Sequence, residues 1–247
     1  MNIKSYLDST YLKTAKQAKI SEKENTVLVQ NFVQETINEK FKLVMIRPDK
    51  VTLAKKLIVA QSSKVLIGTV IGFPEGTNTI EEKVLEAKQA IKDGADELDF
   101  VVNFEAFKLG EIDLVKKEVL QGTSLALQNN KTIKWIIEIA ALNGAQIIQL
   151  TALIKNVVVA NFKEKEFENV FVKSSTGFYK TLNNLPNGAT FPAIIAMLEN
   201  AFPLPVKASG GIKTKEEALE MIKLGVKRIG TSSAKAISEG VETSGGY

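Results

Sequence analysis

The chain has 247 residues, 45% of them hydrophobic and 24% charged, with a formal net charge of +4. That is ordinary globular composition. Cysteine and histidine are both absent, which excludes disulfides, thiolate catalysis and Cys-based metal sites, and removes the usual general base and the commonest metal ligand. Acid–base work is left to Lys, Asp, Glu, Tyr or water. No apolar run reaches the roughly 18 residues of a membrane span. The N-terminus lacks the basic-then-apolar layout of a secretory signal, so a cytoplasmic protein is expected. The lysines are spread along the chain and form no basic arm; the small positive excess suits an anionic small molecule better than nucleic acid.

In chain order, short apolar runs read as strands at residues 5–9, 42–46, 65–70, 97–103, 134–139, 170–173, 205–209 and 227–231. Amphipathic stretches at residues 22–38, 79–93, 112–128, 144–160, 191–200 and 215–224 read as helices between them. Gly94 and Gly225 stand where helix C-terminal caps belong, each just before the next strand. Eight strands alternating with helices in a chain of this size predict an α/β fold, a parallel sheet closed as a (β/α)8 TIM barrel. An open doubly wound sheet is the alternative. No Pro/Gly/Ser-rich linker divides the chain, so residues 1–240 are expected to form a single domain and residues 241–247 a flexible C-terminal tail.

Alternation within the strands gives the first hint of chemistry, because alternate residues face the helices and the barrel interior. Leu98, Phe100 and Val102 form an apolar outward set, which turns Asp99 inward. Trp135, Ile137 and Ile139 do the same for Glu138, while Lys173 opposes Val172 and Lys207 opposes Val206 and Ala208. Two acids and two lysines thus share the inner face, where they can neutralise one another. A structural ion-pair network is the bland interpretation. A buried lysine that loses its proton more easily, and attacks a carbonyl as the free amine, is the sharper one. Lys173 sits in Phe171-Val172-Lys173-Ser174-Ser175-Thr176-Gly177-Phe178, a strand end running into small hydroxyl residues and a glycine. Barrels keep their chemistry at such strand ends.

Two loops have the form of phosphate cradles. Ser209-Gly210-Gly211-Ile212 follows the seventh strand, and Gly230-Thr231-Ser232-Ser233 follows the eighth and opens a helix. Glycines let backbone amides approach an oxyanion, and the loops after the last two strands are where such barrels hold phosphate. Gly72-Phe73-Pro74-Glu75-Gly76 reads as a shaped loop on the same rim, with no direct role assigned.

Those segments, together with Asp93-Gly94-Ala95-Asp96-Glu97-Leu98-Asp99 and Val206-Lys207-Ala208-Ser209-Gly210-Gly211-Ile212, resemble the deoxyribose-phosphate aldolase family, in that family's order over nearly the whole chain. The resemblance implies a class I aldolase on a (β/α)8 barrel. It would reversibly cleave 2-deoxy-D-ribose 5-phosphate to D-glyceraldehyde 3-phosphate and acetaldehyde, with no metal and no cofactor beyond a covalent lysine imine. It implies Lys173 as the Schiff-base lysine, Lys207 as the second lysine and Asp99 as the acid that shares proton transfer with it. Gly210, Gly211, Gly230 and Ser232 would hold the phosphate, Asp8, Thr10 and Thr176 would line the substrate pocket, and Tyr247 would assist from the tail. A homodimer is what the family suggests, with small molecules as the only other partners. Ser9 stands where many relatives carry His, and Met45 where they carry Cys; the segment 179–187 is longer and more polar than the family's glycine-rich connection. An aldolase for another sugar or keto-acid phosphate, and a catalytically silent sugar-phosphate-binding barrel, are the competing possibilities.

Overall fold

The computed structural model describes residues 2–181 and 187–241; residues 182–186 of the 179–187 segment, and the tail with Tyr247, lie outside the described residues. Eight parallel strands close into one barrel in sequence order: β1 Leu7–Thr10, β2 Leu43–Ile46, β3 Leu66–Ile71, β4 Glu97–Val101, β5 Thr132–Ile136, β6 Val170–Lys173, β7 Val206–Ser209 and β8 Arg228–Thr231. Closure is direct, with Leu7, Asp8 and Ser9 of β1 in register with Ile229, Gly230 and Thr231 of β8. The doubly wound alternative is therefore excluded. The helices are α1 Ala15–Ala18, α2 Glu22–Glu39, α3 Val51–Ala60, α4 Ile80–Asp93, α5 Phe104–Lys108, α6 Ile112–Gln128, α7 Gly144–Asn161, α8 Phe191–Ala201, α9 Lys215–Leu224 and α10 Ala234–Glu239.

Local chemistry sets the long helices. Reciprocal capping boxes start α2 (Ser21 with Glu24), α4 (Thr79 with Glu82), α7 (Asn143 with Gln146) and α9 (Thr214 with Glu217). Gly94 and Gly225 end α4 and α9 in the left-handed conformation expected of them. The outward strand faces and the helices share one continuous core, from Leu7 and Val44 through Trp135 to Ile229.

The barrel interior is divided. Towards β2 and β3 it is apolar, filled by Leu43, Met45 and Val70 with Leu12 above them. Gly68 leaves room for those side chains, since a Cβ there would come within 2.5 Å of Met45 Cε. Towards β4–β8, and on β1, the interior carries the ionisable side chains, with Val101 and Ile136 packed together at the strand ends.

Three strands depart from the sequence expectation by two residues or more. Residues 3–6 form a 3-10 turn capped by the Asn2 side chain, so β1 starts at Leu7. β4 ends at Val101, because the Asn103 side chain accepts from Ala106 N (3.0 Å) and starts α5. β5 ends at Ile136, and Glu138 lies beyond it in a left-handed conformation, φ 53°. Helix α3 was not expected; it follows Pro48 and carries no side-chain cap that would announce it.

Candidate active site

The inward side chains of β1, β4, β5, β6, β7 and β8 meet as one ion network. Asp99 is its centre. Its Oδ2 lies 2.9 Å from Lys173 Nζ and 2.9 Å from Lys207 Nζ, and its Oδ1 lies 2.8 Å from Lys134 Nζ. Lys207 reaches on to Asp8 Oδ2 at 2.6 Å. Arg228 closes the circuit, with Nε donating to Asp8 (2.8 Å) and Nη1 to Glu97 (3.0 Å), and Glu97 pairs with Lys134. Every member is buried.

Alternation predicted the meeting of Asp99, Lys173 and Lys207. The network also takes in Glu97, two residues before Asp99 on β4, Lys134 on β5 and Arg228 on β8, which the sequence reading passed over. Counting charge gave no warning, because Asp99 and Glu138 already balanced the two lysines on the inward face.

The network holds three carboxylates (Asp8, Glu97, Asp99) and four cationic groups (Lys134, Lys173, Lys207, Arg228). Full ionisation leaves one net positive charge in a buried site; neutral Lys173 leaves none. The individual groups follow that logic. Burial pushes Asp99 up, but Lys134, Lys173 and Lys207 together outweigh it and hold its carboxyl well below the usual range. Burial likewise opposes Asp8, and Arg228 and Lys207 overcome it. For Lys134 burial acts against the charge, and Asp99 and Glu97 raise its pKa in spite of it. For Lys173 the balance goes the other way. Burial dominates, Asp99 opposes it, Lys207 adds to it, and the pKa falls to about 8. The second lysine therefore contributes, but desolvation is the larger cause.

Lys173 differs from the other members in where its amine stands: it lines an open cavity of about 780 Å³. Thr10, Thr176, Gly210, Gly211, Gly230 and Ser232, to which the family resemblance gives substrate and phosphate contacts, line the same cavity. Asp8, Asp99 and Lys207 are not among its described lining; they lie sealed in the network, 0% exposed. Asp8, expected to line the pocket, is instead the carboxylate between Lys207 and Arg228. Lys180 and Lys213, which sequence reading missed, add positive charge to the cavity.

Hydroxyl bonds hold the strand ends in place. Ser174 Oγ donates to Ser209 O (2.9 Å), Ser209 Oγ donates to Ser175 O (2.6 Å), and Thr231 Oγ1 donates to Ile212 O (2.9 Å). Glycine is needed at two positions for space. A Cβ at Gly188 would meet the Gly210 backbone at 2.2 Å, and one at Gly230 would press on Lys207 Cε at 3.0 Å. Glu138 is buried near Lys173 but bonds Thr176 rather than the Asp99 network, because β5 has ended before it. No group of three or more Asp or Glu side chains among the described residues is arranged to hold a metal ion, and no helix there is long and apolar enough to cross a membrane.

Comparison with known proteins agrees with this geometry. The chain is 37% identical over 241 residues to the deoxyribose-phosphate aldolase of Thermococcus gammatolerans, covering 97% of this chain and 96% of that one. It is 36% identical, over the full length of both, to the enzyme of the same name from Lactococcus lactis subsp. cremoris. A structure described as a unique tetrameric deoxyribose phosphate aldolase from Aeropyrum pernix superposes with a TM-score of 0.76 at 28% identity, covering 96% of this chain and 89% of that one. The DeoC/LacD family aldolase pattern matches residues 7–242, and on these grounds the chain belongs to the DeoC/LacD family of aldolases.

Proposed function

We propose that this aldolase cleaves 2-deoxy-D-ribose 5-phosphate to D-glyceraldehyde 3-phosphate and acetaldehyde through an imine on Lys173. The free amine attacks the C1 carbonyl of the open-chain sugar; loss of water gives a protonated imine. Breaking C2–C3 delivers its electron pair into that imine as an enamine, while the C3 hydroxyl gives up its proton and leaves as the aldehyde of glyceraldehyde 3-phosphate. Protonation of the enamine carbon and hydrolysis of the imine release acetaldehyde and restore the amine. Asp99 and Lys207, through a water, carry the protons.

A single observation carries this reading: one amine of the network, with a pKa of about 8, opens onto a large cavity while its acid partner stays locked among cations. At pH 7 about a tenth of such an amine is unprotonated, against less than a thousandth for an ordinary lysine. The phosphate would rest on Gly210, Gly211, Gly230 and Ser232, with Lys180 and Lys213 adding charge and Thr10 and Thr176 bordering the sugar. The chemistry calls for no metal or cofactor, and a cytoplasmic homodimer with Tyr247 assisting at the enamine completes the proposal.

Borohydride added with acetaldehyde should fix an adduct to the peptide that contains Lys173, and EDTA should leave turnover intact. An adduct on another lysine, or none, would end the proposal. Faster cleavage of a fructose phosphate than of deoxyribose phosphate would transfer it to another sugar phosphate.

A further inference from the structure

Glu138 is a buried carboxylate that the proposed chemistry does not use. It is 1% exposed and holds φ 53°, a left-handed conformation that disfavours non-glycine residues. Both donors of one residue converge on one of its oxygens: Oε2 accepts from Thr176 N at 3.1 Å and from the Thr176 hydroxyl in a very short contact. Its other oxygen, Oε1, is buried without a hydrogen bond of ordinary geometry; burial raises the carboxyl's pKa against the opposing pull of Thr176, the Ser175 hydroxyl and the Lys173 amine. The Thr176 hydroxyl in turn accepts from Phe178 N at 3.0 Å. Thr176 lines the cavity together with Lys173 and the two glycine loops.

A threonine hydroxyl has one hydrogen to give and two lone pairs. Here the hydrogen goes to Glu138 and one lone pair goes to Phe178 N. One lone pair remains. The hydroxyl can therefore only accept from whatever occupies the cavity. That polarity belongs to the carboxylate form of Glu138; a proton on Oε2 would donate to the threonine oxygen instead and free the hydroxyl hydrogen for the cavity.

We propose that Glu138 is a positioning residue that fixes Thr176 as a hydrogen-bond acceptor, and that the pocket thereby selects sugar phosphates bearing a hydroxyl beside the carbon that is cleaved. In deoxyribose phosphate that group is the 4-hydroxyl, the one hydroxyl neither formed nor consumed when C2–C3 breaks. This rests on the aldolase reading above. It adds a reason for strain at residue 138: the left-handed turn brings the carboxylate back over the Thr176 hydroxyl.

The test uses the synthetic direction, with acetaldehyde as donor and two acceptors, glyceraldehyde 3-phosphate and its analogue lacking the 2-hydroxyl, 3-oxopropyl phosphate. The readout is the ratio of the two kcat/KM values, which is insensitive to the fraction of correctly folded enzyme. Glu138→Leu should lower that ratio about tenfold, the worth of one hydrogen bond. Glu138→Gln should keep it, because an amide oxygen can take both Thr176 donors. Glu138→Gly, which suits the positive φ, should repeat the leucine result and serves if Glu138→Leu does not fold. An unchanged ratio in the leucine and glycine variants, or a glutamine variant as impaired as they are, overturns the proposal. Wild-type enzyme that forms no borohydride-trapped acetaldehyde adduct on Lys173 would sink the aldolase reading and this one with it; a normal adduct with an unchanged ratio sinks only this one.

Discussion

Two buried lysines, Lys83 and the proposed nucleophile Lys173, are held in different ways. Lys83, on α4, is fully buried. Its Nζ donates to Gly76 O (2.6 Å), to Val101 O (2.8 Å) and, in a very short contact, to Glu118 on α6. Glu118 also accepts from Asn103 N (3.0 Å), so the pair fastens the 72–76 loop to the end of β4. Lys173 is nearly as buried, but it has one described acceptor, Asp99, which it shares with Lys207 and Lys134. Burial lowers the pKa of both amines. Desolvation therefore does not discriminate between them. What differs is commitment: the three donors of Lys83 have three fixed acceptors, and losing a proton would orphan one of them. Lys173 has donors to spare and a cavity in front of it.

That contrast can be broken from either side. Lys173→Met should reduce deoxyribose phosphate cleavage by about 10⁴-fold or more, as removal of a covalent nucleophile does. Lys83→Met should leave reductive trapping at Lys173 detectable, yet cost about 3–5 kcal/mol of stability in urea titration, because Glu118 is left buried and unpaired. The double variant Lys83→Met with Glu118→Leu should recover much of that loss, since no lone charge remains. If Lys83→Met instead abolished trapping at full stability, the division between the two amines would be wrong.

Asp99→Asn separates proton transfer from amine activation. Turnover should fall about 10²–10⁴-fold with the loss of the acid that partners Lys207. The sign for the amine is opposite. The Asp99 carboxylate raises the Lys173 pKa, so its removal should move the acid limb of acetaldehyde trapping below pH 8. Lys207→Met should move the same limb above pH 8, because the Lys207 ammonium lowers that pKa. Trapping profiles that shift the same way in both variants would show that the network does not set the amine.

The sequence carried the architecture because the period-two and period-3.6 patterns, the capping boxes and Gly94 and Gly225 agreed with one another. It carried Lys173, Lys207 and Asp99 because each interrupts an apolar strand on the inward side. It missed Glu97, Lys134 and Arg228 for a concrete reason: Glu97 and Arg228 open their strands and Lys134 lies two residues into β5, where a charge looks like a solvated end. In a closed barrel those positions are buried as deeply as the middle. Glu138 failed differently. Alternation was carried two residues past the true end of β5, and the left-handed turn there has no glycine to mark it. Lys83 and Glu118 read as ordinary polar positions of amphipathic helices, and nothing local indicates that a loop folds over them.

The smallest expected effect follows from the cost of burying the Lys173 amine. Its pKa of about 8 in the folded chain lies below the 10.5 of an exposed lysine. Between those values the unfolded chain binds more protons than the folded one, so folding stability rises as pH climbs from 8 to 10.5 and is lost again as pH falls back through 8. Below pH 8 the buried, protonated amine costs up to about 3 kcal/mol. Methionine at the same position fills similar volume, carries no charge, and leaves Asp99 paired with Lys134 and Lys207. Three carboxylates then face three cations. Lys173→Met should therefore be more stable than the wild type at pH 7, by up to about 3 kcal/mol, with a higher Tm, and the advantage should shrink as the buffer approaches pH 10. A variant less stable than the wild type at pH 7, or an advantage that grows with pH, would mean that the fourth cation stabilises the network and that Lys173 is held charged.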